Sequence, residues 1–303
     1  MVDVKEISSI KIVPFTLMSS SISAILAFIG GILLAIALGV VSMFLPPQLA
    51  PLGSLIGGLG ITMIIAYPIL TFLIGLSTVF LSILLYNLLA PRVGGVKLAL
   101  EGNQLESIPI VPFALILAII EAIWTFIIGL LIVTAFLPVT GLIGTAIPMI
   151  GNATNTTALT GAGFASLVAF GAIFFIIILP ILVFIFGFIG HALFAIFYNY
   201  IAVRASKVQL NFEAIAEGWH NLVSIPIVPA AISLAVLFAV FGFLMGLVNL
   251  GTELANGNAT GAIVGLIVPI IQYFIEYLII VAIVTALYNW LAPRIGAIKL
   301  ELQ

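Results

Sequence analysis

Cysteine is absent from the 303 residues, which excludes disulfides and thiolate metal sites. Charge is almost as scarce. Lys, Arg, Asp and Glu make up 6% of the chain, against about 25% in soluble domains. The net charge of −2 gives no electrostatic case for nucleic acid as a partner. Two histidines, no clustered carboxylates and no glycine-rich phosphate loop leave no catalytic constellation, no metal site and no cofactor site. The serine cluster at 19–23 has no His or acid beside it in sequence and reads as packing in the first span. A non-enzymatic protein is expected.

What fills the chain is apolar, at 64% of positions. That surface exceeds what one core can hide, and lipid is the solvent that accepts the rest. Apolar runs cover roughly 15–45, 62–90, 113–137, 165–202, 230–249 and 262–292. Each is long enough for a helix across a bilayer, and none alternates as a barrel strand in a membrane would. The polar segment before the first run reads as part of the mature protein, because that run is too long for a signal-peptide core.

The eight basic residues are Lys5, Lys11, Arg92, Lys97, Arg204, Lys207, Arg294 and Lys299. All lie before span 1, between spans 2 and 3, between spans 4 and 5, or after span 6. Excess Lys and Arg mark the cytoplasmic side, so both termini are expected inside a plasma membrane and the loops near 46–61, 138–164 and 250–261 outside. Three acceptor-type sequons, at Asn152, Asn155 and Asn258, fall on the outward loops and are candidate N-glycosylation sites.

Self-similarity runs through the chain. The entry to each odd span reads Ile7-Ser-Ser-Ile-Lys-Ile-Val-Pro-Phe15, Leu105-Glu-Ser-Ile-Pro-Ile-Val-Pro-Phe113 and Leu222-Val-Ser-Ile-Pro-Ile-Val-Pro-Ala230. The exits begin at Tyr86-Asn87, Tyr198-Asn199 and Tyr288-Asn289 and carry Arg92, Arg204 and Arg294. Gly31, Gly129 and Gly246 follow their entry prolines by 17 residues, and Pro68, Pro180 and Pro269 precede the Tyr-Asn pairs by 18, 18 and 19. Composition bias does not produce matched spacings. The reading is three repeat units, 4–101, 104–212 and 219–303, each a strand, two spans and a strand.

Two spans per unit insert every copy in the same orientation, so parallel repeats form a pseudo-threefold bundle within one monomer. The exit segments alternate, as in Val96, Leu98 and Leu100, the period of a half-buried strand. Gly102-Asn103 turns the chain into the next entry strand. Three short cytoplasmic hairpins are expected, one of them split between the two ends of the chain, and a closed ring of all three would be a barrel. The longer second junction suggests a helical turn around 213–220. Pro109 and Pro226 should stop the ladders.

The exit motif, Tyr-Asn followed by an apolar–Pro–Arg stretch, Gly94-Gly95 and an alternating strand, resembles a small prokaryotic two-span membrane family of unknown function. The likeness covers all three units, although unit 2 has Val203 for proline and Ser206-Lys207 for the glycine pair. The resemblance implies the fold and no activity.

Few residues are left to carry function. Tyr86, Tyr198 and Tyr288, with the three arginines, suit interfacial anchoring, or a ring that attracts membrane lipids or another anion. The repeated glycines suit close helix packing. Glu121 and Glu276 are acids roughly 13–18 Å inside the membrane, counting 1.5 Å per helical residue. No Lys or Arg lies within a span to pair them, so each is neutral or faces water or a cation. Gln272 lies on the helical face of Glu276, and His191 is a further candidate partner for ion or proton handling. The leading expectation is a scaffold or assembly subunit of the cell envelope with an envelope-protein partner. The alternative is a channel or transporter with an ion or proton path near the pseudo-threefold axis.

Overall fold

A computed structural model describes residues 2–154, 161–216 and 218–303; the side chains of 142–165 fall outside the description. The protein is an all-α membrane protein, with six helices among the described residues long and apolar enough to cross a bilayer and one small antiparallel sheet. In chain order the elements are β1 (Asp3–Ile10), α1 (Ile12–Met43), α2 (Ala50–Val93), β2 (Lys97–Glu101), β3 (Gln104–Ser107) and α3 (Ile110–Thr154). There follow α4 (Gly161–Ile173), α5 (Leu179–Phe197), α6 (Val203–Ala205), β4 (Asn211–Ala216), β5 (Trp219–Ser224), α7 (Ile227–Ala255), α8 (Ala259–Ile295) and β6 (Ile298–Leu302). Two π-helical turns, Phe174–Ile178 and Tyr198–Ala202, join α4, α5 and α6 into one span.

The chain divides into two compact units, one of residues 1–109 with 196–303 and one of residues 110–195. The first holds the whole sheet. Its strand order is β3-β2-β1-β6-β5-β4, every pairing antiparallel. The two ends of the sheet also meet, β3 against residues 208–210 that lead into β4. Leu105 donates its N–H to the Val208 carbonyl and Leu210 donates to the Asn103 carbonyl, both at 2.8 Å, and Gln104 bridges Gln209. The six strands therefore close on themselves as a small barrel. Closure removes the free edges that would otherwise invite pairing with other chains. The expected hairpins are β2–β3, β4–β5 and the split pair β6–β1, the last with Ile10 opposite Leu300.

Beneath the barrel, Met18 and Ile22 of α1 pack with Leu222 of β5 and with Tyr288, Leu291 and Ala292 of α8. This core fastens the strands to the helices.

Two expectations need correction. Residues 213–220 form no helical turn: they belong to β4 and β5, with Gly218 at φ 72° turning the chain between them. The local sequence favours a helix weakly, and pairing of β5 with β6 overrides it. The loops expected outside the membrane are also shorter than expected. Helix α2 already begins at Ala50, α3 continues to Thr154 and α7 to Ala255. The glycines and prolines at 46–61 and 138–154 suggested loops, but Pro51 falls in the first turn of α2, where proline is tolerated. The 44 residues of α2 span about 66 Å at 1.5 Å per residue, so part of that helix extends beyond a bilayer core of about 30 Å.

Candidate functional site

The repeated Tyr-Asn pair occupies the same place three times. Tyr86 donates its hydroxyl to the Ile7 carbonyl (2.6 Å) and accepts from Val96 N–H (2.9 Å). Tyr198 donates to Leu105 (2.9 Å) and accepts from Val208 (3.3 Å). Tyr288 donates to Leu222 and accepts from Ile298 (3.3 Å). Each hydroxyl thus ties the strand entering a unit to the strand leaving it.

Asn87, Asn199 and Asn289 each accept from the backbone N–H and donate to the carbonyl of one residue, Ile10, Ile108 or Ile225, at 2.7–2.9 Å. Ile108 and Ile225 precede Pro109 and Pro226, where the strand ladder stops, and the carboxamide stands in for the missing strand edge. The tyrosines are 5%, 1% and 3% exposed, so the headgroup-level anchoring expected of them gives way to strand tethering.

The arginines remain outside this network. Arg92 and Arg294 donate to the carbonyls of Leu88 and Trp290 one turn back, and Arg294 also lies over the Trp290 ring at 4.4 Å. All three arginines are exposed. Gly94 and Gly296 end α2 and α8 with φ of 88° and 98°, a backbone only glycine adopts without strain. Unit 2 has Ser206 there, in extended conformation, and its helix reaches that point through the π turn that contains Tyr198 and Asn199. The departure from the exit motif thus has a backbone counterpart, and the tyrosine contacts survive it.

The repeated glycines allow backbone to lie on backbone. A Cβ at Gly31 would stand 2.9 Å from the Met63 carbonyl oxygen, one at Gly129 2.3 Å from that of Phe175, and one at Gly246 2.4 Å from that of Leu266. Within α8, Pro269 leaves the Gly265 carbonyl without its helical donor, and Asn249 Nδ2 approaches it at 3.4 Å.

Glu121 and His191 lie in the unit of residues 110–195, and the sequence holds no other ionisable side chain between those limits. They stand 70 residues apart, on α3 and α5, and meet: His191 Nε2 lies 2.9 Å from Glu121 Oε1. The second carboxylate oxygen rests over Gly187, where an added Cβ would come within 2.6 Å of it. Phe113 packs edge-on against the imidazole and stacks on Phe194. The side chains are 45% exposed for Glu121 and 26% for His191, outside any bilayer. Aligned on the span prolines, the matching positions of the other units are Ser23 and Val79, and Phe238 and Ile280, so both members of the pair are peculiar to unit 2. Sequence reading named both residues; their contact across two helices was beyond it.

Glu276 and Gln272 are exposed on α8, and among the described residues neither makes a hydrogen bond or an ion pair. Glu276 stands where Gly187 stands in unit 2 and Gly75 in unit 1. Gly75 in turn is covered by the Ser20 hydroxyl, 3.0 Å from an added Cβ. A polar group therefore marks this level in each unit: a hydroxyl, a carboxylate from the neighbouring helix, and a carboxylate on the helix itself.

Among the sequons, Asn258 caps α8, accepting from Gly261 N–H (2.9 Å) while its Nδ2 donates to Glu253 (2.8 Å). Asn152 lies near the end of α3 with its side chain outside the description, and Asn155 lies outside the described residues. No group of three His, Asp or Glu side chains that could hold a metal occurs among the described residues. Comparison with family models, curated proteins and solved structures found no match.

Proposed function

We propose that this integral membrane protein is a non-enzymatic scaffold of the cell envelope. Six spans hold it in the plasma membrane, both termini and the barrel lie in the cytoplasm, and the barrel is the platform on which a partner assembles. One observation carries the reading: the repeated Tyr-Asn side chains are spent on building the barrel, which is what the repeat maintains outside the spans. In this reading the three units act as a pseudo-trimer in one chain. The test is site-specific photo-crosslinking in native membranes from outward-facing barrel positions such as Val4 and Val223. A discrete adduct that disappears when Tyr198→Phe and Asn199→Ala loosen the barrel supports the scaffold; recovery of the protein alone from every position sinks it.

A second reading rests on Glu121 and His191. A carboxyl hydrogen-bonded to an imidazole inside a span is a group that can take up and release a proton, and intramembrane acids mark ion and proton paths by default. Liposomes containing wild type, Glu121→Gln or Glu276→Gln, followed with an internal pH dye, test it. Proton entry in wild type that falls at least about tenfold in Glu121→Gln, as loss of a general proton carrier implies, supports transport. Equal leakage from all three and from empty liposomes removes it.

A further inference from the structure

Cross-strand pairing identifies which barrel side chains face inward, because residues directly opposite share one face of a sheet. Lys5 stands opposite Leu98 and Asp3 opposite Leu100, and both leucines are buried. His220 stands opposite Leu300, also buried, while Leu222 faces Phe212 on one side and Ile298 on the other. Among the described residues, these three are the ionisable side chains on an otherwise apolar inward face. Asp3, Lys5 and His220 together rim a cavity of about 540 Å³ at the barrel mouth, with Leu100, Leu210, Phe212 and Leu302 in its wall. That volume is in the range of small-molecule pockets, which combine apolar walls with a few convergent polar groups.

The rim groups are only partly used by one another. Lys5 Nζ reaches Asp3 at 3.9 Å, at the long limit of an ion pair, and two more ammonium donors remain. The His220 ring is held in place: Nδ1 lies 3.0 Å from the Gly218 carbonyl and donates to it, and Phe212 packs edge-on at 6.4 Å. With the proton on Nδ1, Nε2 is an acceptor. The mouth thus offers one cationic donor, acceptors on Asp3 and His220 and the carboxamide of Asn103, which donates to Asn211, beside the apolar side chains of Leu100, Leu210, Phe212 and Leu302.

We infer that the barrel mouth binds an apolar α-amino carboxylate unit, either the C-terminal residue of a peptide or a free amino acid with a large apolar side chain. The apolar group sits on Leu100, Leu210, Phe212 and Leu302, Lys5 pairs with the carboxylate, and Asp3 and His220 Nε2 accept from the nitrogen beside it. This concerns the barrel alone and stands or falls apart from the scaffold reading.

The experiment is saturation-transfer NMR on the full chain in nanodiscs, with phenylalanine, N-acetyl-phenylalanine and N-acetyl-phenylalaninamide as probes. Saturable binding of the carboxylate probes is expected, and the amide should bind about tenfold more weakly or worse, the value of a charge-assisted hydrogen bond. Lys5→Gln should bring N-acetyl-phenylalanine to the level of the amide and leave the amide unchanged. Tighter binding of phenylalanine identifies the free amino acid, which offers donors to both acceptors; tighter binding of the N-acetyl form identifies a peptide end. Amide binding as tight as acid binding in wild type overturns the inference without recourse to a variant. So does the absence of saturation by any probe at about 10 mM, where binding weaker than roughly 3 kcal/mol would fall.

Discussion

Asparagine's carboxamide places a donor and an acceptor side by side on one planar group, as a strand residue does with its N–H and C=O. That is why Asn199 and Asn289 can continue a ladder that proline at the next position interrupts, and Asn87 makes the same pair of bonds to Ile10. Aspartate in their place would face a carbonyl with a second acceptor. Asn199→Ala should cost about 2–4 kcal/mol, for two hydrogen bonds lost with their backbone partners left in place, and Asn199→Asp should cost no less. Tyr198→Phe, which keeps the ring and removes the hydroxyl, should cost about 1–3 kcal/mol. Denaturant titration in detergent, followed by near-ultraviolet circular dichroism, measures all three. The pairs were legible in the sequence as a repeat, because tyrosine and asparagine recur at fixed spacing. Their use was not, because a hydroxyl that joins two strands 89 residues apart leaves no local pattern.

Between helices the decisive residues are glycines, and their cost depends on what lies opposite. A methyl at Gly129 would enter the Phe175 carbonyl at 2.3 Å, and backbone yields less readily than a side chain. Gly129→Ala should therefore lower stability by about 1–3 kcal/mol, as overpacking does, whereas Gly39→Ala, with nothing within 4 Å, should be neutral or raise it by up to about 1 kcal/mol. Thermal unfolding of the two variants in the same detergent makes the comparison; equal melting temperatures would contradict the packing described. At this scale the sequence revealed the close approach, the six spans and the alternating strands. It misjudged helix ends, because glycine and proline inside apolar stretches mark loops in water and are tolerated in helices that lipid or a neighbouring helix covers. It also expected a helical turn at 213–220, where β4 and β5 continue as strands, since the partner that fixes β5 is β6, about 80 residues on. The Glu121–His191 contact was hidden for the same reason: 70 residues separate two side chains that neighbouring helices bring to 2.9 Å.

For the molecule as a whole, the absence of cysteine makes its orientation directly measurable. Single substitutions Asn103→Cys, at the β2–β3 turn, and Asn256→Cys, at the end of α7, introduce one thiol each at exposed positions. In the proposed topology an impermeant maleimide added to intact cells labels Asn256→Cys and spares Asn103→Cys until the membrane is opened. The opposite pattern would invert the protein and place the barrel outside.

The pairing of β1 with β6 also has a consequence for how the protein is made. During synthesis β1 emerges ahead of the six spans, and β2 can satisfy one of its edges once α1 and α2 are in the membrane. Its other edge, from Ile7 to Ile10, waits for the last strand, after four further spans have been inserted. Until then β1 carries an open strand edge of the kind that captures foreign strands. Barrel closure therefore follows the insertion of all six of these spans, and a chain cut before β6 leaves that edge of β1 unpaired.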